Sequence, residues 1–156
     1  MPLDNIGVFI HTIDLEITNY VNSRLASYKL TSEQNLIMAL LWEQEGISQN
    51  EISAKLNKDK ASVARMVSTL EKKGYLRRNV CPSDRRSVEI YLTEGGRQLG
   101  DAVIPINEEI IQVISSGMAD EEIIELKKLL LKIRKNVNQF EKNCTHPNDV
   151  DVSNEK

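Results

Sequence analysis

The centre of the chain reads SQNEISAKLNKDKASVARMVSTLEKKGYL over residues 48–76, and it predicts two helices joined by a tight connection. Ser48 opens the first helix as part of a capping box, because Glu51 stands three residues later. Asp59 is a good N-cap for the second helix, which is predicted over residues 59–73 and is ended by the glycine that follows. A helix, a tight turn and a second helix are the first signs of a helix-turn-helix.

The helix predicted over residues 59–73 has one apolar face and one polar face. Apolar residues recur on it at helical spacing, and they are Val63, Met66, Val67 and Leu70. At about 100° per residue, the polar face carries short or basic side chains, namely Ala61, Ser62, Arg65, Ser68 and Lys72. We expect the apolar face to be buried and the polar face to be available to a partner.

The pattern changes from helical spacing to alternation after Gly74. Residues 75–80 and 87–92 are predicted strands, and the segment CPSDRR over residues 81–86 is predicted to connect them as a hairpin with a basic tip. Two helices followed by a hairpin form a winged helix-turn-helix. The predicted fold class is therefore mainly α with a small β-hairpin, the wing (residues 80–87).

Amphipathic helices are predicted on both sides of this central part. Apolar residues recur every three or four positions over residues 6–28, which indicates one helix. Further helices begin near Thr31, Thr93 and Asp120. Pro105 is expected to bend the helix that begins near Thr93. The last helix carries a heptad-like apolar seam of Ile123, Leu126, Leu130, Ile133, Val137 and Phe140.

The composition is that of a globular protein. The chain has 156 residues, of which 40% are hydrophobic and 28% are charged, so it is long enough to bury a core. No apolar run approaches the roughly 18 residues that span a bilayer, and the N-terminus lacks the pattern of a signal peptide. We expect a cytoplasmic protein with no membrane partner. The two cysteines, Cys81 and Cys144, are too few for a disulfide framework or a four-ligand zinc site, and neither a metal nor a cofactor is expected.

Positive charge is concentrated in the middle of the chain. Residues 51–97 contain 11 Lys and Arg against 6 Asp and Glu, whereas the rest of the chain contains 9 against 17. A basic surface on an otherwise acidic chain favours a polyanionic partner. The usual motifs of catalysis are missing from the sequence, including a phosphate-binding glycine loop and a nucleophile with its base. We therefore predict a binding protein and not an enzyme.

Double-stranded DNA is the polyanion that this arrangement fits. The major groove admits one α-helix, and Arg65 can donate two hydrogen bonds to guanine. Arg85 and Arg86 on the wing suit the minor groove, where negative potential is concentrated. The predicted DNA-binding residues are Lys58, Lys60, Ala61, Ser62, Arg65, Ser68, Arg85 and Arg86. Four further cations are candidates for neutralising phosphates, although charge at a helix end explains the two lysines equally well; they are Lys72, Lys73, Arg77 and Arg78.

The helix-turn-helix over residues 50–52, 56–65 and 70–76 resembles that of the multiple antibiotic resistance regulator (MarR) family. The Asp-Arg-Arg of residues 84–86 and the Leu-Thr-Glu-Gly-Gly of residues 92–96 are similar to that family's wing and to the entry to its next helix. The resemblance extends from residue 6 to about residue 142. Its specificity comes from the presence of both motifs in this order and spacing.

The resemblance implies a homodimer that binds a palindromic operator as a transcriptional regulator, usually a repressor, with half-sites roughly 10 base pairs apart. It implies dimerisation helices within residues 1–30 and 98–142 and a DNA-binding lobe over residues 31–97. Residues 143–156 are predicted to be a disordered tail. By the same resemblance the recognition contacts fall on Ala61, Ser62 and Arg65, and the wing contact falls on Arg85 or Arg86.

The resemblance also implies that a small aromatic or anionic effector binds in a cleft beside the DNA-binding lobe and that its binding releases the DNA. The candidates for lining this cleft are His11, Tyr20, Tyr28 and Trp42. Ordinary packing is the interpretation that we favour for these side chains, because only 4% of the residues are aromatic.

The cysteines and the kind of partner each admit a second interpretation. One branch of the family senses hydroperoxides through a cysteine in the first helix, where this chain has none. Cys81 in the wing is either a redox switch or a turn residue with no functional role. Cys144 and His146 are two ligands at most and do not make a zinc site. A winged helix can also be a protein-interaction module without specific DNA binding, which is the second hypothesis.

Overall fold

A computed structural model describes residues 4–144, apart from the side chains of Cys81, Arg85 and Arg86. Most of the predicted tail, including His146, lies outside the described residues. The fold is mainly α-helical with a small antiparallel sheet, as the sequence predicts. Within residues 4–144, no helix has the length and apolar character needed to cross a bilayer.

The described residues divide into two compact units, residues 4–114 and 115–144. The described part of the first unit contains five α-helices, a one-turn 3-10 helix over Ala26–Tyr28 and three strands. The helices are α1 (Ile6–Leu25), α2 (Ser32–Glu43), α3 (Gln49–Leu56), α4 (Lys60–Lys72) and α5 (Glu94–Ile114). The strands are β1 (Ile47–Ser48), β2 (Leu76–Cys81) and β3 (Asp84–Leu92). The described part of the second unit contains α6 (Asp120–Cys144).

Local sequence signals set the ends of the helices. Thr31 caps α2 with a complete capping box, since its hydroxyl accepts from the Gln34 N–H at 3.2 Å and the Gln34 side chain accepts from the Thr31 N–H at 3.3 Å. Ser48 caps α3 by accepting from the Glu51 N–H at 3.1 Å. The Glu51 carboxylate accepts from the Ser48 hydroxyl at 3.5 Å instead of from its N–H, so this box is only half formed. Asn57 ends α3 with a φ of 51°, a left-handed conformation that asparagine tolerates.

The sheet is antiparallel and has the strand order β1–β3–β2. Strand β1 has two residues and pairs through Ile47 with Ile90 of β3. The alternation of apolar residues did not predict β1, because two residues are too few to show a period. The hairpin of β2 and β3 confirms the predicted wing.

The connection between β2 and β3 is shorter than the sequence predicts. Cys81 pairs with Asp84, so the strands are joined through two residues, and the expected six-residue tip is wrong. The pairing register shifts between Val80 and Cys81, which leaves Arg85 and Arg86 in an irregular part of β3 and not in a loop. The physical reason is that pairing of the strands up to the turn satisfies backbone groups with one another.

The core of the first unit lies against the inner face of α4. Val63, Val67 and Leu70 are fully buried and Met66 is partly buried, which confirms the apolar face predicted for this helix. They share the core with apolar side chains of the other elements, among them Leu25, Ile37, Met38, Leu41, Ile52, Ile90 and Val103. Burial of this face leaves the opposite side of α4 at the surface.

Helix α5 continues through Pro105 and is joined to α2 by polar contacts. The Trp42 indole N–H donates to the Gly96 carbonyl at 3.0 Å. The side-chain amides of Asn35 and Asn107 donate to each other at 2.8 and 3.2 Å, and Asn35 is buried. Because a buried amide needs partners, this pair favours one register between the two helices.

Helix α6 begins at Asp120, as the sequence predicts, and exposes its apolar seam. None of the described residues of α6 is buried, and Val137 and Phe140 are 53% and 70% exposed. A seam of this kind is stabilised when another apolar surface covers it.

Candidate nucleic-acid interface

The outer face of α4 begins with three side chains that form a chain of hydrogen bonds. The Asp59 carboxylate accepts from the Ser62 N–H at 2.9 Å and from the Ser62 hydroxyl at 2.6 Å. The Ser62 oxygen accepts in turn from the Arg65 guanidinium at 3.0 Å. The hydrogen bonds from Ser62 lower the pKa of Asp59 below its ordinary value, with a smaller contribution from the charge of Arg65. Arg65 is thus held at the surface beside an ionised carboxylate.

Of the other residues predicted to bind DNA, those on the first turn of α4 are open to solvent. Lys60 and Ala61 are exposed, and the small Ala61 side chain allows another molecule to approach the helix closely. The N–H groups at the helix N-terminus add partial positive charge at the same place. Because the ionised Asp59 carboxylate already accepts from one of these N–H groups, an anion at this end of α4 would meet the exposed ammonium of Lys60.

Lys58 and Ser68 are engaged within the protein. The Lys58 ammonium forms an ion pair with Glu33 at 2.8 Å, and its side chain is only 22% exposed. The Ser68 hydroxyl accepts from the Arg78 guanidinium at 2.7 Å. A contact of either residue with DNA would therefore compete with a contact inside the protein.

Arg78 of β2 connects the wing with both helices of the helix-turn-helix. Its Nε donates to the Gln49 side chain at 3.1 Å, and one terminal NH2 group donates to the Ala64 carbonyl at 2.9 Å and to the Ser68 hydroxyl. The Glu71 carboxylate accepts from the Arg78 backbone N–H at 3.3 Å and lies 3.9 Å from the guanidinium. The rigid fork of a guanidinium is suited to such a junction.

The junction at Arg78 is a feature that the sequence pattern did not predict, since this residue was only a candidate for neutralising phosphate. Alternate residues of a strand share a face, so Arg78 lies on the same face as the buried Leu76. That spacing is the signal that could have placed the Arg78 side chain against α4. Lys73 is also engaged, since its ammonium donates to the Lys29 carbonyl at 2.6 Å and to Gln34 at 3.1 Å.

An open groove of about 580 Å³ runs beside the outer face of α4. Its lining residues are Gln49, Ala64, Arg65, Ser68, Thr69, Lys72, Arg78 and Val88. Among these described lining residues, three are cationic and none is acidic. The groove between α4 and the wing therefore carries the positive potential that a phosphate backbone favours.

The wing arginines are placed by their backbone alone. Arg85 and Arg86 lie in β3, and their side chains, like that of Cys81, lie outside the described part of the structure. Their contact with the minor groove and a redox role of Cys81 stay predictions. On the neighbouring strand, the Arg77 guanidinium stacks on the Tyr91 ring at 4.6 Å from its centre.

The aromatic residues considered for an effector cleft have ordinary surroundings. Tyr28 and Trp42 pack against the core, and the Tyr20 hydroxyl accepts from Arg24 at 3.1 Å. His11 is exposed. No group of three or more metal-binding side chains occurs among the residues that the structure describes, and Cys144 is exposed there with a free thiol.

The helix pair, the outward face of α4 and the hairpin beside it define a winged helix-turn-helix protein. The family model described as "MarR family" matches residues 30–88. An uncharacterized HTH-type transcriptional regulator of Bacillus subtilis (strain 168), YdcH, is 31% identical over 117 residues, which are 72% of this chain and 80% of that relative. The chain belongs to the MarR family of transcriptional regulators, which are not enzymes.

Two further comparisons extend this finding. The HTH-type transcriptional regulator TtmR of Methylorubrum extorquens (strain PA1) is 40% identical over 77 residues, which are 49% of this chain and 40% of that protein. The chain spans 40% of the length of TtmR and 64% of the length of another curated relative, which is less than two thirds in both cases. The crystal structure of the S. aureus MepR–DNA complex is similar with a TM-score of 0.78 and 27% identity, covering 85% of this chain and 98% of MepR.

Proposed function

We propose that the protein is a homodimeric repressor that recognises a palindromic operator, with α4 in the major groove and the wing in the minor groove. The observation that carries the proposal is the exposed guanidinium of Arg65, held on the outer face of α4 beside a cationic groove. The similarity to MepR, which was crystallised with DNA, supports the same use of this face. The proposed location is the cytoplasm.

Exposed apolar side chains support the homodimer. In α1 the side chains of Ile6 and Phe9 are 65% and 58% exposed. The seam of α6 is exposed as well, and Phe140 is its most accessible residue. Apolar surface of this extent on helices that are amphipathic by sequence favours association with a second copy. The dimerisation region proposed from residues 1–30 and 98–142 contains both surfaces.

The family resemblance also leads us to propose that the protein responds to an effector. A small aromatic or anionic molecule would bind the dimer and lower its affinity for the operator. Repeating the DNA-binding measurement in the presence of salicylate, which is both aromatic and anionic, checks this part, and unchanged binding would count against salicylate as an effector.

Selection of bound DNA from a random library, at about 150 mM salt so that non-specific binding is weakened, tests the central claim. We expect one enriched palindrome and a particle of two chains in sedimentation. Arg65→Ala should weaken binding to that palindrome by about 1–3 kcal/mol and relax the preference at one base position. Arg65→Lys is the matched control, because it keeps the charge and loses the two-pronged donor.

Two results would contradict the proposal. The first is equal affinity for selected and random DNA, which would exclude sequence-specific recognition. The second is an affinity for DNA that hardly changes with salt, since a protein that neutralises several phosphates shows a steep dependence. Either result would favour a protein-interaction module, the second hypothesis drawn from the sequence.

A further inference from the structure

We propose that Asp59 is a positioning residue for base recognition, which acts through Ser62 on Arg65 and so determines the base preference at the position that faces Arg65. The inference rests on the proposed function and adds a specificity determinant to it. Asp59 does not touch the DNA in this proposal. It fixes the serine hydroxyl, and the serine oxygen fixes the guanidinium.

The direction of the hydrogen bonds follows from the chemistry of the three groups. An ionised carboxylate only accepts, and a serine hydroxyl has one hydrogen to donate. At 2.6 Å from the Asp59 carboxylate, the Ser62 hydroxyl donates that hydrogen to it. The Ser62 oxygen can therefore only accept from other groups, and it accepts from Arg65 at 3.0 Å. Ser62 cannot also donate to a base or a phosphate in this state.

The consequence for Arg65 is an orientation that exists before DNA is bound. One terminal NH2 group is held by Ser62. The other N–H groups of the guanidinium have no hydrogen-bond partner among the described residues, so they can meet the two acceptors of guanine. Arg65 is exposed, so without this contact its long side chain would sample many rotamers. Ordering it in advance reduces the entropy lost on binding and favours the one geometry that reads guanine.

A helix cap alone does not account for both carboxylate oxygens. The cap needs only the Asp59 oxygen that accepts from the Ser62 N–H at 2.9 Å. The other oxygen holds the hydroxyl. Asparagine caps helices about as well as aspartate, but its NH2 group would donate to the Ser62 oxygen and turn the hydroxyl hydrogen away. The substitution Asp59→Asn therefore keeps the cap, removes the negative charge beside Arg65 and leaves the Ser62 hydroxyl hydrogen free to turn toward the guanidinium.

The test compares the affinity for the selected operator with the affinity for versions altered at the guanine that faces Arg65. The wild type should prefer guanine by about tenfold or more, as a two-pronged arginine contact does. Asp59→Asn and Ser62→Ala should both reduce this preference to about threefold or less, since the contact then loses its fixed geometry. Arg65→Ala should abolish it, and adding Asp59→Asn to Arg65→Ala should change nothing further.

Two controls separate positioning from stability. Thr31→Ala removes a helix cap in α2 and should leave the base preference at its wild-type value. Ser62→Ala keeps the Asp59 cap on the backbone N–H and introduces the best helix former, so it decides the matter if Asp59→Asn fails to fold. Folding of each variant is checked by circular dichroism.

The outcomes distinguish this inference from the proposed function. If the wild type shows no base preference, both are wrong. If Arg65→Ala abolishes the preference while Ser62→Ala retains it, the proposed function stands and the positioning role of Asp59 is refuted. A loss of preference in Asp59→Asn and Ser62→Ala together, with Thr31→Ala unchanged, supports the inference.

Discussion

Arg78→Ala should destabilise the first unit far more than the same substitution at its neighbour Arg77. The Arg78 guanidinium donates three hydrogen bonds, to the side chain of Gln49, the carbonyl of Ala64 and the hydroxyl of Ser68. These partners belong to α3 and α4, whereas Arg78 belongs to the wing. Alanine at this position would break the polar connection between all three elements.

The magnitude follows from the number of hydrogen bonds and the exposure of the side chain. Each hydrogen bond contributes about 0.5–1.5 kcal/mol net, so three contribute about 1.5–4.5 kcal/mol. The Arg78 side chain is 30% exposed, so water can replace part of what is lost. The ion pair with Glu71, at 3.9 Å and partly exposed, adds little. We expect a loss of about 2 kcal/mol, which lowers Tm by about 4–8 °C in a chain of this length.

Urea unfolding followed by the fluorescence of Trp42, the single tryptophan, measures this loss. Arg77→Ala is the matched control, because Arg77 is exposed and makes a stacking contact with Tyr91 worth about 0.5–1 kcal/mol. The measurement is made at one fixed protein concentration, since association contributes to apparent stability. Equal losses in the two variants, or a loss below about 0.5 kcal/mol for Arg78→Ala, would refute the role assigned to the junction.

Three further predictions concern packing, pH and salt. In Gly96→Ala the new Cβ would overlap the Tyr75 carbonyl oxygen, so the free energy of unfolding in urea should fall by more than about 2 kcal/mol. Gly117→Ala, which has open space and a φ of +77°, should cost only about 1–2 kcal/mol of backbone strain. Because the folded-state pKa of Asp59 is lowered, the stability that its carboxylate contributes is fully present above the ordinary pKa of 3.8. This contribution is lost as the pH falls through the lower folded-state pKa. The urea midpoint of Asp59→Asn should therefore decline less steeply on acidification than that of the wild type, and equal slopes would contradict this. Lys60→Ala should reduce the slope of log affinity against log salt by about 1, measured by fluorescence anisotropy on the selected operator, and an unchanged slope would remove Lys60 from the phosphate contacts.

Much of the candidate interface could be predicted from sequence because it lies on one helix. Ser62 and Arg65 share the outer face of α4 through the period of the helix alone, and Asp59 is recognisable as the cap from its residue type and place. The hydrogen bonds among these three residues span only a few positions in the chain. Such contacts depend on local geometry, which the sequence encodes directly.

Contacts between distant parts of the chain could not be predicted in the same way. Lys58 lies between α3 and α4 and its partner is Glu33 in α2, while the partner of Lys73 is the carbonyl of Lys29. No local pattern links these positions, because the packing of α2 against α4 brings them together. Two cations that the sequence suggested for contacts with DNA are therefore engaged inside the protein.

By itself, the sequence determined where the helices begin, which face of α4 is buried, and that a two-stranded wing follows it. It predicted one helix over residues 6–28, whereas α1 ends at Leu25 and a 3-10 helix continues it. These features depend on caps, turns and periodicity, which act over a few residues. Only the tertiary structure decided that Arg78 joins the wing to α3 and α4, and that Arg85 and Arg86 lie in β3 and not in a loop. Those outcomes depend on strand register and helix packing, where backbone and side-chain groups find partners that are remote in sequence.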